Sequence, residues 1–240
     1  MRPRFIVSLL LMDGGLWKTQ HYANPKYVGD PINAIRIFNE KRVDEIALSD
    51  ISCAKRGSEI DEALLAAVSS ECQCPITYSG GVLDIDTAKK VSSLGYEKIG
   101  FCSAFGANPS VIQQSIDTLG SQSVVAIFDV RKCGADYYTF LDGGVTKHML
   151  LEDQLELCAH LNVGEVRIND IEREGSRAGL NFELAQLAYN SVNCPIVVSG
   201  GCSSYESVDF VNDLYPTVSV AAGEIFVFHG KYRSVLLKYP

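Results

Sequence analysis

An aspartate stands at the end of an apolar run near the middle of the chain, Ser123-Val124-Val125-Ala126-Ile127-Phe128-Asp129. A carboxylate directly after a buried strand can act as general acid or base if its surroundings tune its pKa. It can equally be a structural residue that caps a loop or pairs with Arg131 or Lys132. A near-copy of the run opens the sequence, Phe5-Ile6-Val7-Ser8-Leu9-Leu10, and there Leu10 stands in place of the aspartate. Asp50 and Asp170 close two further runs and carry the same two readings. Paired acid-base work needs two apposed carboxylates, and Leu10 removes that option at the expected place.

Glycine pairs supply a second kind of chemistry. Ser79-Gly80-Gly81 and Ser199-Gly200-Gly201 each close a strand-like run and precede a helical pattern. Without side chains the backbone can approach an anion closely, and amides at a helix start point at it. Ser103 and Gly175 follow two other strands and can complete one phosphate site in each half. Two such sites on opposite sides of one mouth suit a long bisphosphate; tight strand-to-helix turns alone are the other reading. The eight cysteines and four histidines lack metal-ligand spacing, so neither a metal nor a cofactor is expected. Scattered free thiols fit a reducing compartment, and the expected location is the cytoplasm.

The elements that must hold these residues form a regular series. Apolar runs begin near Arg4, Asp44, Pro75, Glu97, Ser123, Gly164, Pro195 and Thr217, with helical patterns between them. That alternation predicts βα units around a parallel sheet. Helix starts are marked by Asn108-Pro109, by Ser58-Glu59-Ile60-Asp61, by Asp84 and by Ser203-Ser204. Three matches share one offset: Asp44-Glu45-Ile46, Asp50-Ile51 and Ser79-Gly80-Gly81 return 120 residues later as Gly164-Glu165-Val166, Asp170-Ile171 and Ser199-Gly200-Gly201. The expected fold is a single α/β domain over 1–240, a (βα)8 TIM barrel with a two-fold repeat of half-barrels at about 1–120 and 121–240.

Two segments read as long loops at the barrel mouth. One runs from Met12 to about Asp30 and holds Trp17, Lys18, His21 and Tyr22. The other runs from Arg131 to about Met149, with a hairpin pattern around Asp142-Gly143-Gly144. The formal net charge of -8 argues against a sequence-independent nucleic-acid binder. No apolar run is long enough for a membrane span.

In order and spacing, several stretches together resemble the cyclase subunit of imidazole glycerol phosphate synthase. They are Asp13-Gly14, Gly29-Asp30-Pro31, Asp44-Glu45-Ile46, Ser79-Gly80-Gly81, Ala107-Asn108-Pro109-Ser110, Gly120-Ser121-Gln122, Ser199-Gly200-Gly201 and Phe226-Val227-Phe228. The resemblance implies a barrel that docks a glutamine amidotransferase, the glutaminase, on its N-terminal face and passes ammonia through to the opposite mouth. There two aspartates would cyclise a bisphosphorylated ribonucleotide; one corresponds to Asp129, the other to Leu10. Gly81, Ser103, Gly175 and Gly201 fit the family's phosphate positions, with Gly223, Asp50 and Lys18 completing the implied substrate-binding set. Cys102, Glu174 and Glu224 depart from the pattern. An ammonia gate is implied at Arg4, Glu45, Lys98 and Glu165.

The resemblance extends to a surface-polysaccharide branch of the family that lacks the first aspartate. That branch implies amidation of an acetamido sugar to an acetamidino sugar, with a separate sugar amidotransferase as further partner. The ligand would be a phosphorylated or sugar-nucleotide small molecule. A true cyclase of histidine biosynthesis, a non-catalytic scaffold for the glutaminase and an unrelated phosphosugar isomerase are the alternatives.

Overall fold

Eight parallel strands close into a barrel. The computed structural model describes residues 4–56, 59–229 and 234–235. Twelve strands form its main sheet: β1 (Phe5–Met12), β2 (Gly15–Gln20), β3 (Ala23–Gly29), β4 (Glu45–Asp50), β5 (Ile76–Ser79), β6 (Lys98–Phe101), β7 (Val124–Cys133), β8 (Asp136–Leu141), β9 (Thr146–Leu150), β10 (Glu165–Asp170), β11 (Ile196–Ser199) and β12 (Val218–Ala222). The barrel order is β1-β4-β5-β6-β7-β10-β11-β12, and β12 returns to β1 with Phe5 opposite Val220. Helices between the strands pack outside, so this is a (βα)8 TIM barrel.

Alternation along each strand decides what faces inward. On β10 the outward residues Val166 and Ile168 join the core beneath the helices, while Glu165, Arg167 and Asn169 point into the barrel. Ile6, Ala47, Val197 and Ala221 form a separate small apolar cluster at the waist. Below it lie charged residues, and above it the strand ends open to a cavity.

Helix starts follow side-chain chemistry. Asp84 accepts from Thr87 N at 2.7 Å, and Ser204 accepts from Ser207 N at 3.4 Å, both as expected. Asp61 caps the helix Glu62–Glu71 through Leu64 N, whereas Ser58 lies outside the described residues. Pro109 opens its helix, but Asn108 makes no cap bond to a helix amide; its Oδ1 instead accepts from Ser110 Oγ at 2.6 Å.

The two expected long loops are hairpins. β1 runs past the barrel rim and turns back as β2 and β3; β7 runs past it and turns back as β8 and β9. The first hairpin was hidden in the sequence because most of β3 is exposed and carries no burial pattern.

Gly80 shows how tightly the rim is built. Its φ is +118°, and a Cβ there would collide with the carbonyl oxygen of Asp50. Gly80→Ala is therefore expected to cost about 2–4 kcal/mol, combining left-handed strain with a backbone clash. Urea unfolding of the variant would check this, and an unchanged midpoint would contradict the packing described.

Candidate functional site

The cavity at the C-terminal ends of the strands has a volume of about 320 Å³. Barrel enzymes place their chemistry at this face. Asp129, near the point where β7 leaves the barrel, lines it, and so does Leu10 from β1. Leu10 pairs with Ser49 on β4 and Trp17 on β2, so its apolar side chain occupies the strand end where a second aspartate was sought.

Asp129 is held by residues remote in sequence. Its Oδ1 accepts from the Tyr22 hydroxyl at 2.6 Å and from Asn169 Nδ2 at 2.8 Å; Cys102 Sγ lies 3.9 Å from Oδ2. Burial pushes the carboxyl above its ordinary value, while the bonds from Asn169 and Tyr22 and the charge of Arg167 pull the other way. Burial, reinforced by the Asp129 charge, also raises the Tyr22 phenol and the Cys102 thiol well above their usual ranges. The alternative partners do not reach Asp129. Arg131 stacks on Phe140, and Lys132 bonds Glu183.

Tyr22 was only a loop residue in the sequence, yet it is central here. Gln20 and Ala23 pair across the first hairpin, leaving His21 and Tyr22 as its two-residue turn. Both have positive φ, 51° and 62°. This sign pattern matches a type I′ turn, which normally selects Asn-Gly. A bulky residue in that region is strained, and such strain gathers at functional sites. Arg167 and Asn169 did leave a signal: polar residues at alternate positions of a buried strand. Arg167 donates to Ser8 Oγ at 2.9 Å and to Asn169 Oδ1 at 3.0 Å, so a guanidinium forms part of the cavity wall.

The expected anion positions divide. Gly81 and Ser103 line the cavity, as does Asp50. The carboxylate of Asp50 is engaged, accepting from Ser52 N at 2.9 Å and Cys53 N at 3.3 Å. Asp170 caps its own loop in the same way through Glu172 N. Gly175, Gly201 and Gly223 do not line the cavity, and neither does Lys18, which is buried. Lys18 Nζ donates to the Ser8 carbonyl at 3.0 Å, and burial lowers its pKa despite attraction from Glu174 and Glu224.

At the opposite end four charges form a ring. Arg4 bonds Glu45 at 2.5 Å and Glu165 at 2.6 Å; Lys98 bonds Glu45 at 3.0 Å and Glu165 at 2.9 Å. Thr77 Oγ1 also donates to Glu45. Burial alone would lower the Arg4 pKa, but the two carboxylates outweigh it and raise it. The four positions were expected together, and the structure brings them together.

Fold and site thus define a TIM barrel with a cavity at one end and an ion-paired base at the other. A family model described as histidine biosynthesis protein matches residues 4–233. The chain is 40% identical over 242 residues to a Pseudomonas aeruginosa protein provisionally named imidazole glycerol phosphate synthase subunit hisF2, covering 100% of this chain and 96% of that one. It is 38% identical over 243 residues to a similarly provisional HisF subunit of Leptospira borgpetersenii, with the same coverage. Identity to the imidazole glycerol phosphate synthase subunit HisF of Lactococcus lactis subsp. lactis is 30% over 233 residues, covering 95% of this chain and 89% of that one. The chain belongs to the histidine biosynthesis protein family, as a HisF-like subunit of the imidazole glycerol phosphate synthase cyclase type.

Tyr22→Phe removes a bond that favours the charged form of Asp129. The variant is expected to lose about 1.5–3 kcal/mol of stability above the folded-state pKa of Asp129. The loss should vanish as pH falls through that raised pKa, because the neutral carboxyl gains little from the phenol. Denaturation midpoints of both proteins across pH would measure this, and a pH-independent difference would refute it.

Proposed function

We propose that this chain is the synthase subunit of a cytoplasmic glutamine-dependent assembly. A glutaminase docks on the N-terminal face of the barrel, and ammonia passes from it to the mouth. The acceptor lies outside histidine biosynthesis: a surface-polysaccharide sugar whose acetamido group becomes an acetamidino group, with a sugar amidotransferase as third component. Asp129 acts at the mouth, and Arg4, Glu45, Lys98 and Glu165 form the gate.

The observation that carries the reading is Leu10 in the cavity wall with Asp129. A leucine cannot move a proton, so this mouth lacks the carboxylate pair implied for ring closure. The base is retained, and an apolar waist of Ile6, Ala47, Val197 and Ala221 lies above it. Such a waist favours neutral ammonia over ammonium, whose charge would be costly to desolvate.

A true cyclase is the competing reading, and one observation favours it. The Tyr22 hydroxyl on Asp129 puts a protonated group beside the carboxylate, which could stand in for the missing acid. The two readings separate when the purified chain is given the formimino ribonucleotide with a high ammonium concentration. Under our reading turnover stays far below that of a cyclase; turnover at the level of a cyclase would overturn it. With a cognate glutaminase bound and folding verified by circular dichroism, Lys98→Ala and Glu165→Ala should each lower glutamine-coupled transfer severalfold while leaving ammonium-dependent transfer unchanged. Unchanged coupling would remove the gate from the proposal.

A further inference from the structure

The two sides of the barrel mouth are built differently. On the first side Gly80, Gly81 and Ser103 face the cavity. On the second side Gly175, Gly201 and Gly223 stay outside it, each beneath another part of the protein. A Cβ on Gly223 would fall on the ammonium of Lys18. A Cβ on Gly175 would collide with the carbonyl oxygen of Thr19 in the first hairpin, and one on Gly201 with that of Gly179. The backbone hydrogen bonds His21 N to Glu174 O and Gly179 N to Gly201 O, both 2.9 Å, hold these covers down.

Charge closes what packing covers. Glu224 pairs with Arg177 at 3.1 Å, and Arg177 also donates to the carbonyl oxygen of Phe228. Lys18 is attracted by both Glu174 and Glu224. Lys18 and Arg177 are thus balanced by Glu174 and Glu224, and the cluster offers no net positive charge to an incoming dianion. The cavity as a whole repeats this bias. Among the described residues, Asp50, Asp129, Asp142 and Glu174 line it against one cation, Arg167. Each additional phosphate on a ligand meets more repulsion than attraction.

We infer that Lys18, Glu174, Glu224 and Arg177 form an internal plug over the second anion cradle, so that this mouth takes a ligand with one phosphate and rejects one with two. The inference rests on reading the mouth as a phosphate-binding site, as the glycine pairs and Ser103 suggest in the sequence. It makes Lys18 and Glu224 specificity-determining residues that act by occupying a subsite, with no contact to the ligand.

Ribose 5-phosphate and ribulose 1,5-bisphosphate are suitable probes in calorimetric titration of the full chain. The single phosphate should bind at least as tightly as the bisphosphate. The double variant Lys18→Ala/Glu224→Ser should shift the ratio about tenfold or more towards the bisphosphate, the scale of one new charge-assisted phosphate contact. A tenfold bisphosphate preference in the unaltered protein would overturn the plug and leave the phosphate-site reading standing. Binding of neither probe would overturn that reading and the plug with it. A folded double variant with an unchanged ratio would refute the roles of Lys18 and Glu224. If the variant does not fold, the ratio for the unaltered protein decides alone.

Discussion

Closure of the barrel by β1 against β12 is the constraint on which the rest of the structure depends. Once eight parallel strands are paired into a ring, strand alternation leaves no freedom about which residues enter the lumen. A slip of one residue on β10 would send Glu165, Arg167 and Asn169 out among the helices and bring Val166 and Ile168 inside. The register therefore specifies, at one stroke, a charged base, an apolar waist and a polar mouth. Helices, caps and hairpins are then arranged around a lumen whose composition is already decided.

Much of this was legible in the chain because alternation is a local property. The eight apolar runs, the carboxylate ending at Asp129, the leucine at its counterpart and the four charges at strand starts are all read from short windows. What escaped was non-local. Tyr22 reaches Asp129 only because the first hairpin folds back over the mouth, and nothing in Gln20-His21-Tyr22-Ala23 announces a turn of that kind. Lys18 read as a substrate-facing lysine. Its burial comes from Ser8, Gly223 and the charges of Glu174 and Glu224, which meet only in the closed barrel. Asn108 carried a capping signal, but its side chain turned to Ser110 instead, a choice between two near neighbours that sequence alone does not make.

The mouth also shows how like scaffold positions can carry unequal contents. Asp50 and Asp170 both accept from backbone amides just beyond their strands, and Gly80 and Gly200 both lie against the carbonyls of those aspartates. The scaffold positions are thus used alike. The side chains laid over them are not: Cys53 and Ile60 lie beside Gly81, whereas Arg173 and the Gly179 carbonyl close on Gly201. Divergence sits in the segments after the strands, where barrels vary most readily.

The four charges at the base sum to zero, two cations against two carboxylates, with little solvent to screen them. Each carboxylate is shared by both cations, so no member belongs to a private pair. Loss of any one strands a buried charge, at about 3–5 kcal/mol, a large part of the margin by which a domain stays folded. The ring therefore changes at least cost when oppositely charged members are replaced together. Single-step sequence drift is thereby opposed at this end of the barrel.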